Sequence, residues 1–364
     1  MPVTTAADVH PARVQRGRRW KFAVAAALIG LALAVGALLG LDLYAHHRFE
    51  RGVLVNVWGY RGPAIGHKRP DEYRVAVFGG SAAYGFGVKW EESMPALLEA
   101  KLAGRGRPIT VVNLAYNAEG AYSFPFTMDD YAYLDYDMTV FYEGYNDLFG
   151  DPSRPQQQVF RHESPIFRLT GYLPIFPLVA REKASVMLYG DTREVYTNAH
   201  HANTVFTPGL ATKAGAELLR SAAAVGESLE RQIGKTIASA PAAAPVPGDA
   251  SGCSGTWAPY CRLMYTAVSK ARAMHKDVLV VTQPYLLGTQ VRSAHMAQQR
   301  ELAGMLARVF GGDTHVQYVN LGESVDVSDP ELSFDRMHLT MIGNDRIAAG
   351  LVAPVAAMAA RRQK

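Results

Sequence analysis

The chain has 364 residues, 49% of them apolar, enough to bury a large core in one domain with additional segments around it. Its 37 Lys and Arg exceed 33 Asp and Glu by four. Residues 1–21 carry five basic residues (Arg13, Arg16, Arg18, Arg19, Lys21) against Asp8, leaving 32 of each sign beyond them, so the charge is no sign of a basic nucleic-acid-binding face.

After that basic tail, Phe22 to Leu41 are twenty positions without a charge, rich in Ala, Leu, Val and Gly. As a helix rising 1.5 Å per residue, such a run is roughly 30 Å long and crosses a bilayer. The alternative is a cleaved signal peptide, whose apolar stretch is usually about 7 to 15 residues. The longer run, with no clear small-x-small site after it, reads as a retained transmembrane anchor over residues 22–44. Basic residues ahead of the span place the N-terminus in the cytoplasm and the rest outside it, as a single-pass inner-membrane protein facing the periplasm or the exterior.

Residues 45–72 form a lead-in whose turn-rich stretch Asn56 to Pro63 reads as irregular. From residue 73 a strand-helix rhythm begins. Short apolar runs predict buried parallel strands at Tyr73–Phe78, Thr110–Leu114, Met138–Phe141, Val278–Thr282 and His315–Val319. Amphipathic patterns predict helices at Met94 to Leu102, Met264 to Met274 and Arg300 to Phe310. Alternation of this kind means an α/β architecture, a parallel sheet of about five strands with helices on both faces.

The rhythm breaks between Leu148 and Tyr260. Residues 151–208 are rich in Pro, aromatic and charged residues, a helix follows over Leu210 to Gly234, and Ala238 to Pro247 has the composition of a linker. This stretch reads as an insertion at about 151–260 into one domain spanning 73–364, with a separate domain as the alternative. Cys253 and Cys261, the two cysteines, predict one disulfide closing a short loop in an oxidising compartment. No His-x-x-x-His or second Cys pair accompanies them, so no metal is expected.

Three places carry chemistry. The first strand runs into Gly79-Gly80-Ser81, which leaves a hydroxyl at the carboxyl end of a strand, where open α/β sheets bind ligands. No Gly-Lys-[Ser/Thr] follows, which excludes a phosphate loop, and Ala83 breaks the Gly-x-Ser-x-Gly pattern. The third strand ends in Glu143-Gly144-Tyr145-Asn146-Asp147, where the Asn amide can face a developing oxyanion. Near the C-terminus, Asp335 and His338 stand three apart, a spacing that lets the carboxylate fix the imidazole tautomer so that the other nitrogen acts as a base. A serine needs such a base to become a nucleophile.

Together these pieces resemble the SGNH (GDSL-type) hydrolase family, in four blocks in order: Gly79-Gly80-Ser81, Asn113 through Gly120, Gly144 through Asp147, and Asp335-Arg336-Met337-His338. The Asn56 to Pro63 segment is similar to the lead-in of membrane-anchored bacterial members. The resemblance implies a flavodoxin-like three-layer sandwich, with Ser81 as nucleophile, His338 as base and Asp335 as its orienting acid. It implies an oxyanion hole made by the Ser81 amide, the Gly120 amide and the Asn146 side chain, with no cofactor. Two departures stand out: Gly80 replaces a common Asp, and the second block is two residues longer than usual, which leaves Ala118 as the alternative donor to Gly120. The implied activity is an extracytoplasmic carboxylic ester hydrolase acting on short acyl groups of carbohydrate or another envelope substrate. An O-acyltransferase on an envelope glycan, a lipase or lysophospholipase, and a non-catalytic envelope-binding protein are the alternatives. No long apolar lid helix is evident, which ranks carbohydrate esters above lipids.

Overall fold

Five short runs dominated by Val and other apolar residues lie side by side, all parallel: β1 (Tyr73–Gly79), β2 (Ile109–Asn113), β3 (Met138–Glu143), β4 (Asp277–Thr282) and β5 (Val316–Asn320). Their order is β2-β1-β3-β4-β5, the flavodoxin-like arrangement. β1, β3 and β4 are buried along their whole length, which explains why they read as unbroken apolar runs rather than alternating ones. The computed structural model describes residues 12–50, 52, 54–149, 161–190, 195, 207–236 and 250–361. The predicted linker at 238–247 lies outside the described residues.

The helices are α1 (Ala12–Phe49), α2 (Ser81–Tyr84), α3 (Met94–Leu102), α4 (Phe124–Asp130), α5 (Tyr145–Phe149), α6 (Pro165–Thr170), α7 (Phe176–Tyr189), α8 (Leu210–Thr236), α9 (Ala258–Ala273), α10 (Thr289–Phe310) and α11 (Met341–Arg361). Right-handed crossovers fix their sides: the step from β1 to β2 runs opposite to all later steps, so α3 lies on one face and α4, α9 and α10 on the other. α3 accordingly packs on α11, and α9 on α4 and α10. All five predicted strands are present with ends within two residues, whereas α9 and α10 begin earlier than their apolar periodicity suggested, at Ala258 and Thr289.

Register decides where the strand ends fall. Gly79 of β1 stands opposite Tyr142 of β3, and Val77 opposite Asn113 of β2. Pairing continues past β2 through Leu114 N–H to Val77 O (2.9 Å) and Tyr116 N–H to Gly79 O (3.0 Å). Ser81 therefore leaves the sheet between the loop after β2 and the turn after β3. This is the point where the strand order reverses and where a crevice opens in such sheets.

The lead-in is not a loose connection. Arg61 bridges to Val55 and to Asn113 at the end of β2, which covers part of an otherwise open edge. Its buried guanidinium donates to Gly85 O (3.0 Å), Gly52 O (2.9 Å) and Val88 O (2.5 Å) and lies over the Tyr84 ring. It thereby ties the lead-in to the loop that follows Ser81.

α1 is one unbroken helix that runs through the apolar stretch and on to Phe49, so residues on both sides of the expected 22–44 span belong to the same element. By length and composition it can cross a membrane, with a mean hydropathy of 2.6 over its most apolar window, none of which is buried. Its last turns dock on the segment before α7. Asp42 accepts from the N–H groups of Ile175 (2.8 Å) and Phe176 (2.5 Å) and from the Tyr172 hydroxyl. The His46 ring bonds Val55 O (3.1 Å) and Leu173 O (3.0 Å). Cys253 and Cys261 are joined in a disulfide just ahead of and inside α9.

Removing the Arg61 guanidinium leaves the buried Val88 carbonyl and the half-buried Gly52 carbonyl without this donor, while Gly85 O keeps the Val88 N–H; a buried carbonyl left unpaired costs about 1–3 kcal/mol. Arg61→Met is expected to destabilise the protein by about 1–3 kcal/mol, read as a lower urea midpoint at unchanged slope. A midpoint equal to the parent's would show that the lead-in bears no weight.

Candidate active site

Each of the four motif blocks ends up on a different element. The Val75–Phe78 run places Ser81 at the first position of α2, beyond the end of β1. β3 delivers Asn146 to the start of α5. Asp335 and His338 come from the loop between β5 and α11. That loop is pinned by the Ser333–Leu339 bridge and by two bonds to His338 O, from Phe334 N–H (3.2 Å) and Ser333 Oγ (2.9 Å).

Within it, Arg336 sits at φ +69°, a left-handed conformation that a non-glycine residue adopts at some cost. The tight turn lets Asp335 Oδ1 accept from the backbone N–H of Met337 (3.0 Å) and His338 (2.6 Å), while Oδ2 meets His338 Nδ1 at 2.6 Å. On the other side of the ring, His338 Nε2 lies 2.8 Å from Ser81 Oγ, across 257 positions of sequence. Burial pulls the Asp335 carboxyl upward, but the hydrogen bonds and charge of His338 and the Met337 N–H outweigh it and hold it below its ordinary value. Two rings flank this imidazole: Phe86, tilted at 4.8 Å between centroids, and Phe334, stacked at 6.0 Å. Both are more than two-fifths exposed, so the site opens between aromatic edges.

Asn146 comes close to the same turn. A Cβ built on Gly80 would stand 1.9 Å from Asn146 Nδ2 and 2.8 Å from Glu119 O, so a side chain at the position where the resemblance has a common Asp would displace Asn146 or the 119–120 peptide. Asn146 Nδ2 donates to Glu119 O at 2.8 Å. This contact bears on where the Gly120 amide points. The 119–120 peptide is trans, as are all described peptide bonds, so the Gly120 N–H points opposite to a carbonyl aimed at Asn146. Ala118, the alternative, sits at φ +60° in the same loop, and its N–H, like those of Ser81 and Gly120, has no acceptor among the described residues.

The residues that hold this arrangement were quoted in the motifs but given no role. Glu143, the last residue of β3, is 2% exposed. Its Oε2 accepts from Gly80 N–H (2.6 Å), and its Oε1 from Gly144 N–H (2.9 Å) and Asn146 N–H (3.2 Å). Asp147, also buried, accepts from Ala121 N–H at 3.1 Å. Burial, then the charge of Asp147, raises the Glu143 carboxyl against those three N–H groups, and burial raises Asp147. An acid that ends an unbroken apolar strand was the available signal, because it has nowhere to go but inward.

Arg161 escaped notice altogether, standing inside the insertion without a motif around it. It is 2% exposed and donates to Glu119 Oε2 (3.1 Å), Leu114 O (2.8 Å) and Gly59 O (2.8 Å), with its guanidinium over the Tyr116 ring. It clamps both ends of the loop that holds Ala118 and Gly120.

No protein-family model matches the chain, and no curated protein matches it. Among solved structures it is similar to a putative lipolytic protein of the G-D-S-L family from Desulfitobacterium hafniense, at 12% identity over 77% of this chain and 98% of that one, with a TM-score of 0.39. It is similar to a lipase/acylhydrolase from Enterococcus faecalis at 12% identity, 78% and 96% coverage and a TM-score of 0.40. It is also similar to a family two carbohydrate esterase from Clostridium thermocellum at 12% identity, 81% and 67% coverage and a TM-score of 0.39.

Because the folded protein holds the Glu143 proton more tightly than the unfolded chain, the unfolded chain releases it first as pH rises, and stability falls upward from the ordinary value of 4.5. Glu143→Gln removes this proton and turns an NH2 group toward one of the N–H donors. Its melting temperature is expected to be lower at about pH 5 and to decline less toward about pH 8 than the parent's. Parallel curves for the two proteins would contradict the raised carboxyl.

Proposed function

We propose that this chain is a serine ester hydrolase of the SGNH type, anchored in the inner membrane by α1 with its catalytic face outside the cytoplasm. The observation that carries the reading is the unbroken line Ser81 Oγ, His338 Nε2, His338 Nδ1, Asp335 Oδ2, with contacts of 2.8 and 2.6 Å. Ser81 attacks the acyl carbonyl while Nε2 takes its proton, and Asp335 holds Nδ1–H and stabilises the imidazolium. The oxyanion accepts from Ser81 N–H, Asn146 Nδ2–H and Ala118 N–H, the last in place of Gly120. The proton on Nε2 passes to the leaving alcohol. Water, deprotonated by the same nitrogen, then releases the acid and restores Ser81.

Basic residues ahead of the apolar run support a cytoplasmic N-terminus, and the Cys253–Cys261 disulfide supports an oxidising compartment for the rest. The substrate class we favour is a short acyl group on a carbohydrate. Phe86 and Phe334 offer small apolar faces beside His338, suited to a short acyl group or to the C–H face of a sugar ring.

Ser81→Ala is expected to abolish hydrolysis of a short-chain ester and labelling by a fluorophosphonate while leaving the urea midpoint near the parent's; turnover at the parent rate would refute the nucleophile. Asn146→Ala should lower kcat by about 10²- to 10³-fold with little change in KM. A panel of esters of rising acyl length beside acetylated polysaccharides tests the substrate class, and a preference for long chains would reverse it.

A further inference from the structure

α8 is a helix with two unlike faces. Ala211, Ala214, Leu218, Ala222, Val225 and Leu229 recur at helical spacing with no charge among them, while Lys213, Glu217, Arg220, Glu227 and Arg231 fall on the opposite side. The contact with α7 reaches the stripe at Ala222, beside Phe176 and Ala180, and leaves its exposed members Leu218 and Val225 outside it. Its buried members are Ala216 and Ala223, and Arg181 of α7 pairs with Glu227 at 3.2 Å. Of the charge-free stripe, Leu218 remains 72% and Val225 50% exposed.

Where that stripe leads is set by α1. Ala222 packs with Leu38 of α1 around Phe176, Ala180 and Ala223. Leu229 shares a cavity of about 230 Å³ with Val35, Leu38 and Leu39. Leu38 is three residues inside the end of the uncharged run, about 4.5 Å along the axis. A helix that packs against Leu38 and Val35 therefore meets α1 at a level where α1 is already in the bilayer, and it does so with its own charge-free face turned the same way.

We propose that the apolar face of α8 lies on the outer leaflet of the membrane, with Leu218 and Val225 in the headgroup and acyl boundary and the charged face toward water. A helix of strong amphipathicity and low overall hydrophobicity has this preference. The proposal rests on the reading that α1 crosses the bilayer, and the test separates the two. Because Cys253 and Cys261 are joined, an introduced cysteine is the single labelling site.

Full-length protein carrying a nitroxide at Leu218→Cys, Val225→Cys, Lys213→Cys or Leu31→Cys is reconstituted in phosphatidylcholine/phosphatidylglycerol vesicles. Collisions with oxygen and with a water-soluble nickel complex are then compared by paramagnetic resonance. Labels at 218 and 225 are expected to favour oxygen several-fold, as at 31, and the label at 213 to favour nickel. A lipid signature at 31 with aqueous labels at 218 and 225 overturns the placement of α8 alone. Aqueous labels at 31 as well overturn the anchor and this proposal together. Spin–spin broadening at 218 assigns the face to a second copy and also overturns it.

Discussion

Everything at the candidate site hangs on one carboxyl group that does no chemistry itself. Glu143 closes β3 and collects the N–H groups of Gly80, Gly144 and Asn146. A single side chain thus joins the turn bearing Ser81 to the turn bearing Asn146. Neutral carbonyls could satisfy those donors singly, but none could reach both strand ends at once. Desolvating an acid is costly, and the neighbouring Asp147 adds repulsion, which is why both carboxyls are raised. Asp147 extends the same logic to the third loop through Ala121.

Two buried guanidiniums do for the outer segments what Glu143 does for the strand ends. Arg61 binds the lead-in to the loop after α2, and Arg161 binds the insertion to the loop after β2. Arg61 donates to three backbone carbonyls and Arg161 to two, beside the Glu119 carboxyl and the Tyr131 hydroxyl, which suits a planar fork of five N–H groups. Loops that a sheet cannot hold by pairing are held here by a fixed charge. The arrangement is stiff, since moving either loop uncovers a buried charge.

The sheet was legible because its strands are buried on both faces, and a run such as Val75–Phe78 admits few other fates. Ser81, Asn146, Asp335 and His338 were legible because strand ends and a three-residue acid–histidine spacing are local patterns. What failed was whatever depended on orientation or on distant partners. The length of the loop after Asn113 leaves two candidate amides, and the direction of the Glu119 carbonyl, on which our choice of Ala118 leans, cannot be read from sequence. Glu143 looked like a strand end and Arg161 like one charge among many in the insertion. Their roles follow from partners up to 102 positions away. The start of α10 was missed because its first turns are polar enough to hide the period, and that of α9 because Pro259 and the paired Cys261 read as loop.

α1 passes from its apolar stretch to Phe49 without a break, and Asp42 and His46 are gripped by the folded part on the way. A flexible stalk would let the catalytic face sweep a hemisphere and reach material at many heights. A helix gripped within a turn of leaving its apolar run allows no such sweep. Mounted this way on a membrane, Ser81 would work at one altitude and one attitude, and diffusion of the whole protein in the plane would replace reach as its means of search. Its substrates would be those that share that plane or are carried through it.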